Sequence, residues 1–150
     1  MITKEQIDEF YGQPLIAMIG VSRNKKKFGY VAFSELKKKG YKVVPVNSNT
    51  DTIDDAVCFR GIDTLPAEVT GAVVMTHKKE TLSTVEQLIN KGIKQIWIQQ
   101  GSQTKEAVEF AMTNYANVIS GKCIIMFSEP AEGIHKFHRS VLKLFGRLPK

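Results

Sequence analysis

The apolar residues of this chain occur mainly in short unbroken runs, which are separated by longer segments of helical periodicity. The run at residues 15–19 has five apolar residues in a row, without the alternation of apolar and polar residues that is found in a strand with one solvent-exposed face. Such runs are typical of parallel strands that are covered on both faces. Four further strands are predicted, at residues 43–46, 72–75, 95–98 and 118–119.

Helices are predicted between these strands, where apolar residues recur every three or four positions. Thr3 and Gln6 form a capping-box pattern that begins the first helix, which ends near Gly12. The other helices cover residues 29–39, 79–90 and 104–115, and a short extended piece at residues 57–59 precedes the third strand. This alternation predicts a doubly wound, Rossmann-like α/β fold with a five-stranded parallel sheet in the spatial order 3-2-1-4-5.

Residues 128–150 fall outside the alternation and predict an extra C-terminal helix of the same domain, whose main part covers residues 1–127. Apolar residues recur there at helical spacing, and basic residues recur on the opposite side. The apolar set is Ile134, Phe137, Val141, Phe145 and Leu148, and the basic set is Lys136, Arg139, Lys143 and Arg147. We expect the apolar face to pack on the domain or on a second copy of the chain, as in a homo-oligomer. The alternative is a helix that lies on a membrane surface.

The composition is that of an ordinary globular protein. The chain has 150 residues, of which 43% are hydrophobic and 24% charged, and this excludes disordered, collagen-like and disulfide-scaffold classes. No apolar run approaches the ~18 residues of a membrane span, and the first residues lack the form of a signal peptide. We therefore expect a cytoplasmic protein in which Cys58 and Cys123 stay reduced.

The net charge of +6 is concentrated in two basic segments. Residues 23–42 contain eight Lys or Arg and one Glu, and residues 133–150 contain five Lys or Arg and no acidic residue. The lysines at residues 37–39 follow a helical face and complement the helix dipole. The other cations of the first segment lie mostly in a loop, where functional groups are common. They are Arg23, Lys25, Lys26 and Lys27.

The loop after the first strand is a candidate phosphate site. Gly20, Val21 and Ser22 lead toward a helix that begins near Gly29, so backbone N–H groups and the positive helix end converge there. The predicted strand order places the reversal, and hence the ligand, beside strands one and four. The close-spaced dinucleotide fingerprint fails, because Ser22 and Lys25 stand where its second and third glycines belong. The second strand also ends without an acidic residue for the ribose of NAD, so the cations favour a more negatively charged ligand.

Three sequence elements, taken in order, are more specific. They are Gly-x-Ser at residues 20–22, Pro-Val-Asn at residues 45–47 and Trp-x-Gln-x-Gly at residues 97–101. Together with the apolar runs around them, they resemble the small stand-alone CoA-binding proteins of Rossmann type, which are similar to the N-terminal domain of the succinyl-CoA synthetase α subunit. The resemblance covers residues 14–125. It implies a domain that binds coenzyme A or an acyl-CoA as a non-catalytic binding or sensor module.

The resemblance also implies which residues contact the nucleotide part of coenzyme A. The pyrophosphate would lie against Gly20, Val21 and Ser22. Phosphate charge would be met by Arg23, Lys25, Lys26 and Lys27. The adenosine would be flanked by Pro45, Val46 and Asn47.

At the pantetheine end, the resemblance implies that Gln99 and Gly101 border the ligand. The family commonly has Phe-Arg where this chain has Thr76 and His77. It commonly has Asp-Arg-Cys where this chain has Gly-Lys-Cys at residues 121–123, so Cys123 is kept. Thr76, His77 and Cys123 complete the predicted site.

Two other functions stay open from the sequence. An oxidoreductase that binds NADP would suit the cationic loop, but the fingerprint glycines and a catalytic set are missing. An adaptor could use the basic segments to bind nucleic acid or a membrane surface, but no basic surface interleaved with aromatic residues is present.

His135 and His138 could join Cys123 around a metal, although two histidines without a fixed third ligand are a weak pattern. We expect no metal, no catalytic set and no nucleic-acid partner.

Overall fold

A parallel sheet of five strands forms the centre of this computed structural model, which describes residues 2–128. In chain order the strands are β1 (Ile16–Ile19), β2 (Val43–Val46), β3 (Thr52–Ile53), β4 (Ala56–Val57), β5 (Gly71–Val74), β6 (Gln95–Gln99) and β7 (Asn117–Lys122). The sheet has the order β2-β1-β5-β6-β7, and β3 and β4 form a separate antiparallel hairpin.

Residues 2–128 contain four longer helices, which lie where the periodicity predicts them, and two short ones. They are α1 (Lys4–Tyr11), α2 (Phe28–Lys38), α3 (Lys78–Asn90), α4 (Lys105–Thr113) and the short α5 (Ile124–Phe127), with a 3-10 helix at Ile62–Thr64. The first four begin and end within two residues of their predicted bounds. The hairpin, the 3-10 helix and α5 were not predicted, because each is too short to show a period.

The strand order confirms the doubly wound pattern, and it shows which segment takes the third place. Val46 forms a parallel bridge with Phe59 on the outer side of β2, so the extended piece around Phe59 lies where a third strand would lie. The segment expected there, at residues 72–75, instead pairs with β1 as β5. Pro45 pairs with this outer segment through its carbonyl, which accepts from the Phe59 N–H at 2.9 Å. Proline has no N–H to donate, and such a residue is tolerated at an irregular sheet edge.

The sheet is buried on both faces, as its unbroken apolar runs predict. All four residues of β1 and all four of β5 are buried. On one face, Phe10 and Trp97 pack with α1, α2 and α5, and the two ring centroids are 5.5 Å apart. On the other face, Val74 and Leu88 belong to the core beneath α3 and α4. The two hydrophobic cores hold the three layers together.

Helix α1 is fixed to the end of the described chain. The capping box is present, with Thr3 Oγ1 accepting from the Gln6 N–H at 3.1 Å and Gln6 Oε1 accepting from the Thr3 N–H at 2.9 Å. The Tyr11 hydroxyl donates to the Ile124 carbonyl at 2.6 Å, and burial raises the pKa of Tyr11. A neutral tyrosine therefore links α1 to α5.

The C-terminal helix predicted for residues 128–150 lies, from residue 129 onward, outside the described residues. Among residues 2–128, no helix is both long enough and apolar enough to cross a membrane.

Two glycines bring backbone against backbone at the end of β1. Gly20 has φ +101°, and a Cβ on it would lie 2.5 Å from the Met75 carbonyl oxygen. A Cβ on Gly29 would overlap the carbonyl oxygen of Gly20. The first turn of α2 therefore rests directly on the β1–α2 loop, and that loop rests on the residue that follows β5.

We expect Gly29→Ala to lower the free energy of unfolding by about 1–3 kcal/mol, because the added methyl group must displace backbone. Helix propensity alone would raise the stability by roughly 1 kcal/mol, so the sign of the change is informative. Urea denaturation followed by circular dichroism measures it.

The control is Gly12→Ala, since Gly12 ends a helix at φ −78° and a Cβ there approaches no atom closer than 3.2 Å. Equal stability changes in the two variants would contradict the close contact at Gly29.

Candidate functional site

The switch point of the sheet lies between β1 and β5. Helix α2 follows β1 and covers one face, whereas α3 follows β5 and covers the other. The two loops therefore diverge at the carboxyl edge and open a crevice there. The sequence placed this point beside the strand at residues 95–98, but β5 lies between that strand and β1. Thr76 and His77, which follow β5, thus lie nearer the centre of the edge than the sequence indicated.

Two clefts open at this edge, on either side of the β1–α2 loop. The first has a volume of about 520 Å³ and lies between the ends of β1 and β2, residues 60–62 and helix α3. The second has a volume of about 640 Å³ and lies between the start of α2, the end of β6 and Cys123. Gly20 and Ser22 line both clefts, so an extended ligand that crosses the loop reaches both.

Side-chain hydrogen bonds shape the loop that separates the clefts. Ser22 Oγ accepts from the Asn24 N–H at 2.9 Å, and Asn24 Oδ1 accepts from the Lys26 N–H at 3.0 Å. These local turns bend the chain before α2 begins. Lys27, in the N-cap position of α2, supplies no side-chain cap. The first N–H groups of α2 are therefore left for solvent or a ligand.

Asn47 ties the end of β2 to this loop. Its Nδ2 donates to the Val21 carbonyl at 2.7 Å, and its Oδ1 accepts from the Asn49 N–H at 2.7 Å. Val21 is fully buried, and Val46 and Asn47 line the first cleft. Pro45, the third predicted residue here, is buried within β2. The Asn47 amide thus positions the wall of the cleft.

The predicted cations of the loop are not all in the clefts. Lys27 lines the second cleft, but Arg23, Lys25 and Lys26 are exposed and line neither. The Lys25 ammonium lies 4.0 Å from Asp54. The hydroxyl of Tyr30 donates to the same carboxylate at 2.6 Å, which raises the pKa of Tyr30. The turn between β3 and β4 therefore already offers Lys25 a negative charge.

The first cleft contains an arginine that sequence reasoning missed. Arg60 Nε donates to Asp51 Oδ1 at 2.7 Å, and Arg60 Nη1 donates to the Ser48 carbonyl at 3.2 Å. This pairing holds the pKa of the Asp51 carboxyl below its usual value. In the sequence, Arg60 is a basic residue directly after the extended piece at residues 57–59. Only the folded chain shows that this piece pairs with β2 and so brings Arg60 to the cleft.

The second cleft brings together most of the predicted pantetheine residues. They are His77, Gln99, Gly101 and Cys123. Gln99 is buried, and its Oε1 accepts from the Ile124 N–H at 2.9 Å, so it holds the start of α5 beside the cleft. Gly101 has φ +96°, and a Cβ there would meet nothing within 4 Å.

Thr76 lines the first cleft rather than the second. Its Oγ1 lies 2.9 Å from Thr81 Oγ1, and its carbonyl accepts from Ser102 Oγ at 2.7 Å. Thr81 is fully buried and donates to the Ser102 carbonyl at 2.7 Å. This network joins the loops after β5 and β6, so the Thr76 hydroxyl takes part in a structural hydrogen bond.

Two observations on the described residues concern covalent and metal chemistry. Burial raises the pKa of the Cys58 thiol, which therefore stays protonated at neutral pH. No group of three His, Cys, Asp or Glu side chains within residues 2–128 is placed to hold a metal ion. His135 and His138 lie outside the described residues. The arrangement is suited to binding an extended, negatively charged molecule.

Comparison with known proteins matches residues 15–129 to the family described as CoA binding domain. The chain is 30% identical over 129 residues to the α subunit of ADP-forming acetate–CoA ligase II from Pyrococcus furiosus. This match covers 79% of the chain but 28% of the subunit, so the chain spans less than a third of that relative.

Two smaller proteins match over most of their length. The uncharacterized protein YneT of Bacillus subtilis is 25% identical over 113 residues, which is 73% of this chain and 81% of YneT. A solved structure of a conserved hypothetical protein from Pyrococcus furiosus superposes with a TM-score of 0.73 at 31% identity. It covers 75% of this chain and 97% of that protein.

We expect Asn47→Ala to lower the free energy of unfolding by about 1–3 kcal/mol, because the Val21 carbonyl loses its side-chain donor. Hydrogen exchange in residues 21–27 should become faster, since the loop loses its tie to β2. Denaturant titration and mass spectrometry measure the two effects.

Asn49→Ala is the matched control, because the side chain of Asn49 is exposed two positions further on. If both variants exchanged at the wild-type rate, Asn47 would not be what holds the loop.

Proposed function

Because this chain belongs to the CoA-binding domain family, as its sequence elements indicated, we propose that it binds coenzyme A across the two clefts. The observation that carries the proposal is the pair of clefts that meet over Gly20 and Ser22. A single cleft of 300–1,000 Å³ is usual for a drug-sized ligand. Coenzyme A is longer than such a ligand, and two joined clefts match its two ends and its central diphosphate.

The chemistry of the clefts supports one direction of binding. The first cleft has polar and charged walls, with Asn47, Arg60 and Lys79 among them, and these suit a phosphorylated nucleoside. The second has Phe28 and Met75 next to polar groups, which suits the mixed apolar and amide character of pantetheine. Cys123, half-buried in the second cleft, is then near the thiol end of the ligand.

The diphosphate would lie over the β1–α2 loop. Helix α2 begins at Phe28 and α3 begins at Lys78, and both helices begin at the carboxyl edge of the sheet. The positive ends of helix dipoles favour negative charge at this position. Gly20 lets the loop lie flat on the Met75 carbonyl, so no side chain stands between the backbone and the diphosphate.

We infer a binding or sensor module rather than an enzyme. The hydroxyl of Thr76 and the amides of Asn47 and Gln99 are engaged in structural hydrogen bonds, so these three side chains hold the walls of the clefts rather than act on a bound molecule. The acetate–CoA ligase subunit from Pyrococcus furiosus is much longer than the region that matches this chain, so its ligase reaction is not assigned to this chain.

We expect coenzyme A to bind at least tenfold more tightly than either adenosine 3′,5′-bisphosphate or pantetheine, because each half occupies one cleft only. NADP should bind more weakly than coenzyme A, since it has no pantetheine arm. Isothermal titration calorimetry at low salt measures these affinities. Binding of NADP at least as tight as that of coenzyme A would favour a dinucleotide site instead.

We expect Ser22→Asp to weaken coenzyme A binding at least tenfold relative to Ser22→Asn. Either side chain can accept from the Asn24 N–H as the serine does, so the turn is kept. Only the aspartate adds a negative charge beside the diphosphate, and like charges in a cleft repel. Equal affinities of the two variants, each checked for folding by circular dichroism, would show that the diphosphate lies elsewhere.

A further inference from the structure

The shape of the two clefts does not by itself identify the side chain that binds the phosphate on the ribose. This phosphate is the feature that distinguishes coenzyme A from dephospho-CoA. From sequence, the loop cations Arg23 to Lys27 are the candidates. The structure places Arg23, Lys25 and Lys26 outside both clefts, and Lys25 lies beside Asp54. Lys27 lines the second cleft, away from the nucleotide.

The cationic side chains that line the first cleft are Arg60 and Lys79. Arg60 is held in place on the wall, because Asp51 accepts from its Nε and the Ser48 carbonyl accepts from its Nη1. These bonds engage two of the five guanidinium N–H groups, and three on the terminal nitrogens are left for a ligand. A fixed, planar guanidinium suits bidentate recognition of a phosphate.

The position of Arg60 agrees with the expected position of the ribose. Ser48 directly follows Asn47 at the end of β2, where a doubly wound fold holds the ribose of an adenine nucleotide. The bridge between Val46 and Phe59 brings Arg60 beside this strand end. Lys79 also lines this cleft, from the first turn of α3.

We propose that Arg60, positioned by Asp51, selects a ligand with a phosphate on the adenosine ribose and so distinguishes coenzyme A from dephospho-CoA. The inference rests on the proposed function. Asp51 acts as a positioning residue, since its carboxylate occupies the Nε side of the guanidinium and leaves three N–H groups of the terminal nitrogens for a ligand.

Calorimetry with coenzyme A and dephospho-CoA at low salt tests the proposal on the full chain. We expect the wild-type protein to prefer coenzyme A at least tenfold. Arg60→Gln should reduce this preference to threefold or less while the affinity for dephospho-CoA stays the same. Arg60→Lys should keep part of the preference, because it retains the charge but not the fork. Lys94→Gln removes a cation at the opposite, amino edge of the sheet and should leave the preference at the wild-type value.

Each other outcome has a defined meaning. Loss of preference in Arg23→Gln or Lys79→Gln, but not in Arg60→Gln, would overturn the assignment to Arg60. An equal loss of affinity for both ligands in Arg60→Gln, with an unchanged melting temperature, would also overturn it, because Arg60 would then only shape the cleft. If wild-type protein bound neither ligand, the proposed function itself would fail. A preference for NADP over NAD larger than that for coenzyme A over dephospho-CoA would assign Arg60 to a 2′-phosphate and reject coenzyme A.

Discussion

The geometry of the carboxyl edge depends on a contact between three backbone segments. Gly29 at the start of α2 rests on the Gly20 carbonyl, and Gly20 rests on the Met75 carbonyl after β5. Neither position has room for a Cβ. The contact fixes the height of the β1–α2 loop above the sheet, and that height separates the two clefts while leaving both open toward the loop.

Much of the polar chemistry at this edge stabilises the structure. Asn47 bonds to the loop, Gln99 bonds to the start of α5, and Thr76 joins the network with Thr81 and Ser102. Buried polar groups need such partners, because an unpaired one would destabilise the fold. Residues that a family resemblance assigns to a ligand can therefore act by placing the walls of the site. What is left for the ligand is backbone N–H groups, two helix ends and a few cations.

The excess of basic residues is only partly available to a ligand. Lys25 lies near Asp54 and Lys37 pairs with Asp55 at 2.9 Å, so the β3–β4 hairpin offsets part of the positive charge around α2. Such exposed pairs contribute little to stability, because solvent screens them. Their effect is on the local potential, which is less positive around α2 than the net charge of the segment suggests. A single arginine that is held by two hydrogen bonds can consequently matter more for binding than several loop cations that line neither cleft.

The sequence by itself determined the positions of the main strands and helices, the fold class and the loop around Gly20. These are local properties, since an unbroken apolar run, a capping box such as that of Thr3 and Gln6, and a glycine after a strand each act within a few residues. Tertiary structure alone decided that β5 lies beside β1, that Phe59 takes the outer edge and that Arg60 reaches the first cleft. The partner of a strand is set by which buried surfaces fit together across the whole sheet. No local sequence pattern around Arg60 predicts this pairing, so the position of Arg60 in the cleft follows only from the folded chain.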